Sequence, residues 1–272
     1  MGTAALFEPS FEHIDGTARF SLMFRPPVDI VPRGAVVYVP PFAEEMNKSR
    51  RMAASMARAL ADAGWHVSLP DLFGCGDSEG DFGDATWGIW REDIARRIRQ
   101  SSVAAPGPLW IWGLRAGCLL AAASLPQDLS SNILLWHPVV RGSIGLNQFL
   151  RLRTAGSVIR SGEGAGRKEL RARLANGETI EIAGYALNSL LADDFEKAEM
   201  ELPQGFPGKV VWLELVPEDQ AGLSPASQSL TKRWCERGIN VHAEAIAGPA
   251  FWQAQEIAHS ADLISRSVEL ML

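Results

Sequence analysis

The chain has 272 residues, 47% of them hydrophobic and 21% charged, with a net charge of −6. That balance supports a sizeable core in one large domain or two small ones and excludes a disordered chain, and it leaves no basic footprint for nucleic acid. Three cysteines (Cys75, Cys118 and Cys235) at unrelated spacings form neither a disulfide framework nor a zinc signature, so no metal or other cofactor is expected.

Met1–Glu8 lacks a basic region followed by a long apolar run, and no stretch approaches the roughly 18 unbroken apolar residues of a membrane span. A cytoplasmic protein is therefore expected. Residues 1–33 read as a leading segment in which Ala18–Phe24 alternates like an edge strand, ended by Pro26, Pro27 and Pro32. Ala35–Val39 is an apolar run of strand length. A helix follows from about Met46 to Ala63, with Met52, Met56, Ala59, Leu60 and Ala63 on one stripe and Gly64 as its stop. Trp65–Leu69 is the next strand. Thr86 to Val103 reads as a helix with Asp93 on its polar face, Leu109–Trp112 as a strand, Ala116–Ser124 as a helix and Ile133–Trp136 as a strand.

Strands that alternate with helices imply right-handed crossovers and a mostly parallel, doubly wound sheet. Strands covered on both faces read as continuous apolar runs, as these do, and several of the nine tryptophans fall in them as core rather than as stacking platforms. From about 139 to 207 the pattern changes. Ile144–Ile159 is expected to be helical, Ser161–Gly166 a flexible turn, Thr179–Ile182 a strand and Ser189–Met200 a helix. An insertion there is expected to cap a site at the strand C-termini. Val210–Val216, Ser224–Arg237, Val241–Ala247 and Glu256–Leu270 then read as strand, helix, strand and closing helix of a single domain spanning 1–272.

Gly113-Leu114-Arg115-Ala116-Gly117 stands between a strand and a helix, the context of the G-x-S-x-G elbow. Pro40-Pro41-Phe42 lies where an oxyanion turn belongs, and Gly74–Gly80 (GCGDSEG) matches the G-x-G-x-S-x-G turn after the next strand. The chain thus resembles the α/β-hydrolase superfamily. Its wording at Pro40–Arg51 (PPFAEEMNKSRR), Asp71–Gly80, Trp112–Gly117, Gln148–Arg153, Leu223–Ser227 and Gly248–Gln253 resembles the exosortase A system-associated hydrolase 2 group. That resemblance implies a gene context beside bacterial exopolysaccharide synthesis and surface-protein sorting. It does not imply a reaction.

Serine hydrolysis needs a nucleophile, a histidine to take its proton, an acid to orient the histidine, and donors for the oxyanion. The nucleophile position holds Arg115, whose guanidinium stays protonated and cannot attack a carbonyl. The histidine position reads Gly248-Pro249-Ala250-Phe251-Trp252-Gln253. His13 lies in the leading segment, His66 and His242 start strands at the far end, and His259 falls inside the closing helix. His137 follows a strand at its C-terminal edge, and Glu218 and Asp219 occupy the acid position. The catalytic candidates that remain are His137, Asp219, Glu218, Glu44 and Glu45, and none is assigned as a nucleophile.

The ligand-binding candidates are Arg115, the backbone N–H groups of Phe42 and Ala116, and Trp252 as an aromatic wall. A cation at a helix N-terminus needs a counter-charge. Glu44 or Glu45 supplies it, or a ligand carboxylate, phosphate or acidic sugar does. The reading is a hydrolase-fold protein that binds a small anionic or saccharide-related ligand without serine-triad turnover. The alternatives are a hydrolase or acyltransferase acting on an ester or acyl-sugar, with His137 or Glu44/Glu45 activating water, and an interaction protein of the export machinery.

Overall fold

The computed structural model describes residues 6–160, 166–254, 256 and 258–272, with side chains outside 153–160. Strands β1 (Leu6–Ile14) and β2 (Thr17–Arg25) lead into β3 (Gly34–Val39), α1 (Glu44–Asp62), β4 (Trp65–Pro70), α2 (Trp87–Ala104), β5 (Leu109–Leu114), α3 (Gly117–Ala123) and β6 (Asn132–Trp136). An inserted segment follows: α4 (Gly142–Arg160), α5 (Arg167–Ala175), β7 (Ile180–Ile182), β8 (Tyr185–Leu187) and α6 (Ser189–Lys197). Then β9 (Lys209–Val216), α7 (Pro225–Glu236), β10 (Asn240–Ala247) and α8 (Ala261–Met271) complete the chain.

The sheet order is β1-β2-β4-β3-β5-β6-β9-β10. Pairing is antiparallel at β1/β2 and β2/β4 and parallel from β4 to β10. The apolar runs follow from burial on both faces. On β5, Trp110, Trp112 and Leu114 join the core that holds Met52 and Met56 of α1 and Leu263 of α8. Leu109 and Ile111 join the opposite core with Ile94 of α2, Leu119 of α3 and Trp234 of α7.

Several elements differ from expectation. Ala18–Phe24 belongs to β2, one strand in from the edge, and β1 is the outer strand. Pro9 and two glutamates break the apolar pattern of β1. Its legible signal is Asp15-Gly16, whose φ values of 49° and 80° make the two-residue hairpin turn. Asp93 is not solvated: it forms a buried ion pair with Arg19 at 3.0 Å and accepts the Phe73 N–H. Helix α5 and strand β8 were not expected. Leu170 and Leu174 are the buried residues of α5, too few to signal a stripe, and Ala183-Gly184 turn the short hairpin. The closing helix starts at Ala261, capped by Ser260, so His259 lies in the loop before it. Of the turn expected at Ser161–Gly166, residues 161–165 lie outside the described residues.

The inserted segment is fastened to the sheet body. Phe195 of α6, fully buried, stacks on Phe42 at 4.7 Å and on Trp87 at 5.7 Å. The Asn188 amide donates to the carbonyls of Gly83 and Ala85. Gly142 is required where α4 begins, because a Cβ there would overlap the Phe195 carbonyl.

Candidate functional site

The site forms at the C-terminal ends of β3, β5 and β6. Three non-glycine residues there take positive φ: Ala43 (50°), Arg115 (55°) and His137 (43°). Such conformations cost on the order of 1–3 kcal/mol each and persist where the surroundings over-determine them. The turn at Arg115 is a complete elbow. A Cβ on Gly113 would lie 2.7 Å from Cys118 Cα, and one on Gly117 would lie 2.4 Å from the Val39 and Pro40 carbonyl oxygens. Both glycines are there so that β5, β3 and α3 can approach. The Arg115 N–H donates to the Trp136 carbonyl, and the Arg115 carbonyl accepts the N–H groups of Cys118 and Val139.

Arg115 is 4% exposed, and its guanidinium is occupied on every side. Nε and Nη2 donate to Glu45 Oε1 at 3.3 and 3.2 Å, Nη2 also to Gln148 Oε1 at 2.8 Å, and Nη1 to the His137 carbonyl at 3.5 Å. Its flat face lies 5.0 Å from the Trp252 ring. Of the two counter-charges considered, the internal one is therefore in place. Gln148 ties the inserted segment to the elbow.

A cleft of about 250 Å³ opens in front of this network, lined by the polar residues Glu44, Glu45, Lys48, Gln148 and Gln253 and by the apolar residues Phe42, Val139 and Phe149. Ala116 also borders it. A neighbouring void bordered by Phe42, Trp87, Trp90 and Ala116 holds only about 10 Å³, at the limit for a single water. The rings of Phe42, Trp87 and Trp90 fill that neighbouring space.

Glu44 and Glu45 open α1, where the helix dipole favours acidic residues. Burial raises the Glu44 carboxyl from 4.5 to about 7, against a hydrogen bond from its own backbone N–H that lowers it, with Glu45 adding to the rise and Lys48 and Arg115 opposing it. Its Oε2 is buried without a partner among the described residues. The folded protein thus holds a proton on Glu44 that the unfolded chain has already lost, so this residue costs stability as the pH rises from 4.5 through about 7. Glu44→Gln is expected to raise stability above about pH 7 by about 1–2 kcal/mol, after discounting for solvent at this half-buried side chain. The gain should close towards about pH 5, as followed by thermal melts across the range. A gain that grew on acidification would refute the assignment.

The other candidates are placed elsewhere. Trp252 is 2% exposed and packs behind the guanidinium against His137 and Phe251, so it is core and not a cleft wall. Arg115 likewise sits behind Glu45 and Gln148 and does not border the cleft. Glu218 and Asp219 are exposed in the loop after β9 and are not brought to the cleft. The buried carboxylate of that strand is Glu214, which accepts the Ser224 N–H at 3.2 Å. The sequence offered one hint of it, a lone charged residue inside an apolar run.

His137 does not border the cleft. Burial, and secondly the Arg115 charge, lower its pKa to about 4, and Nδ1 is buried without a partner among the described residues. A base that weak is poorly matched to neutral pH. Cys118 is fully buried, which pushes its thiol up, and it packs as an apolar residue. Ser78 is a turn residue, donating to the Asp71 carbonyl and accepting the Phe20 N–H. Among the described residues, no cluster of His, Cys, Asp or Glu is placed to hold a metal, and no helix is long and apolar enough to cross a membrane.

The chain matches no protein-family model and no curated protein sequence. Among solved structures it is similar to Est1E of Butyrivibrio proteoclasticus with bound ferulic acid, at 16% identity and a TM-score of 0.68 over 96% of this chain and 97% of that one. A thermostable carboxyl esterase of Bacillus coagulans matches at 16% identity and a TM-score of 0.62, covering 97% of each chain. The monoglyceride lipase of Saccharomyces cerevisiae matches at 14% identity and 0.62, over 99% of this chain and 94% of that one. With the sheet order and the elbow, these likenesses establish the α/β-hydrolase fold.

Proposed function

We propose that this chain is a hydrolase-fold binding protein: it takes a small saccharide-related or anionic ligand in the cleft at the elbow and performs no serine-triad turnover. The observation that carries this reading is Arg115 at the elbow, held by Glu45, Gln148, the His137 carbonyl and Trp252 where a nucleophile would stand. No histidine borders the cleft among the described residues. The inserted segment serves as the cap of this site. The narrower kinship with the exosortase A system-associated hydrolase 2 group is part of the proposal, on the strength of the phrases around Pro40–Arg51, Trp112–Gly117 and Gly248–Gln253. It suggests a cytoplasmic role beside bacterial exopolysaccharide and surface-protein export, where protein partners are also to be expected.

The test is hydrolysis of short aryl esters and acetylated sugars by wild type and Arg115→Ser. Both are expected to stay at the buffer rate. Serine at the elbow has no histidine of the cleft to take its proton, because His137 is a weak base that does not border it. Wild-type turnover abolished by Glu44→Gln would instead establish a hydrolase with a carboxylate base.

A further inference from the structure

We propose that the open edge of β10 is a docking surface for a second copy of this chain, which adds its own β10 antiparallel about a two-fold axis at Ala243.

The first support is the contrast between the two edges of the sheet. An edge strand leaves a row of unpaired N–H and C=O groups, which sheets commonly blunt with a proline, a bulge or a short strand. At one end β1 is blunted in this way. Its two-residue hairpin closes on the pair Ile14 and Thr17, which turns the backbone of the even-numbered residues of β1 to β2 and that of Pro9 outward, where proline presents no N–H. At the other end β10 runs for eight residues without a proline, in unbroken register with β9 from Asn240↔Lys209 to Ala247↔Val216. Among the described residues no strand pairs with its outer side.

The second support is the set of groups on that outer side. The Gly248 N–H donates to the Val216 carbonyl, so the even-numbered residues of β10 address β9. The N–H and C=O groups of Val241, Ala243, Ala245 and Ala247 therefore point outward. An antiparallel copy must set odd-numbered residues against odd-numbered ones, and three of these four are alanines, which let two backbones approach.

The third support is charge. His242 and Glu244 lie on the α8 face of β10, where Glu244 Oε2 accepts Arg266 Nε at 2.9 Å and lies 3.0 Å from His242 Nε2. A two-fold at Glu244 would set carboxylate against carboxylate, one at His242 ring against ring, and one at Ala245 would set Glu244 against Ile246. A two-fold at Ala243 sets each His242 against the partner subunit's Glu244, Ala243 against itself and Val241 against Ala245. Opposed ring and carboxylate favour a strand pair, and opposed like charges disfavour it. The side chains thus select one register out of those the backbone permits.

Sedimentation velocity of the full chain over a concentration series reads the association, and wild type is expected to dimerise. Ala243→Pro removes the central outward N–H, which has no ladder partner within the chain, and should weaken the dimer at least about tenfold. His242→Glu alone and Glu244→Lys alone should weaken it by a similar factor, because each sets like charges across the two-fold. An equimolar mixture of those two variants should dimerise again, since each then meets the opposite charge. With the exposed Cys235 replaced by serine, Ala243→Cys should form a disulfide-linked dimer under mild oxidation and Ala245→Cys should not. A wild type that stays monomeric throughout would overturn the proposal. A dimer unchanged in Ala243→Pro and in both charge variants would overturn it by placing the interface elsewhere. A mixture that stays monomeric, or cross-linking at Ala245→Cys in place of Ala243→Cys, would overturn the register. Thermal melts of each variant separate these outcomes from misfolding.

Discussion

Arg115→Ala is expected to lower stability by about 3–5 kcal/mol at neutral pH, the usual cost of removing one partner from a buried ion pair. Its guanidinium is 5% exposed and Glu45 is 14% exposed, so water cannot easily replace the lost partner. The same change also removes the bond to Gln148 and the contact with Trp252. Burial already raises the Glu45 carboxyl while Arg115 pulls it down, so the variant should raise it further. The damage should then shrink on acidification, as Glu45 takes a proton and stops being an unpaired charge. Arg115→Gly should be about 1 kcal/mol less harmful than alanine, because glycine accepts the positive φ without strain. Arg115→Met/Glu45→Gln should recover much of the loss. Urea denaturation at several pH values measures all four proteins. A loss below about 1 kcal/mol for Arg115→Ala would mean that the pair does not hold the elbow.

Gly117→Ala is the second large effect. The new methyl would stand 2.4 Å from two backbone oxygens, Val39 and Pro40, at the end of the neighbouring strand. Neither oxygen is the end of a flexible side chain, so the sheet or α3 must shift. A loss of about 3 kcal/mol or more, or failure to fold, is expected. Gly88→Ala in the first turn of α2 is the control. Its methyl meets only Thr86 Oγ1 at 3.7 Å, and helix propensity should make it neutral or stabilising by up to about 1 kcal/mol. Denaturation midpoints of the two variants decide the matter: Gly117→Ala within about 1 kcal/mol of wild type would show that the elbow is not tightly packed.

The elbow geometry presents Arg115 at its tip. The strained turn, both glycines and the close approach of β3, β5 and α3 support an ion pair here. Backbone requirements and chemical requirements are separate physical matters at this site.

The sequence by itself determined the alternation of strands and helices, the mostly parallel sheet, the elbow and its Arg115, and the Pro40-Pro41-Phe42 turn with the two glutamates that follow it. Those features are local: apolar runs of strand length, helical stripes, and glycines at fixed offsets. Residues near the truth were misplaced where the signal was weak, as at β1, α5 and the start of α8. What only the tertiary structure decided is where side chains from distant segments meet. Glu45 reaches Arg115, and Gln148 joins them from the inserted segment. Trp252 lies beneath the guanidinium rather than beside a ligand, and Glu214 rather than Glu218 or Asp219 is the buried acid of its strand. The physical reason is that burial and charge pairing belong to the assembled surface. Spacing along the chain reports which face of an element is apolar, but desolvation of Glu44 or His137 depends on every element packed around it.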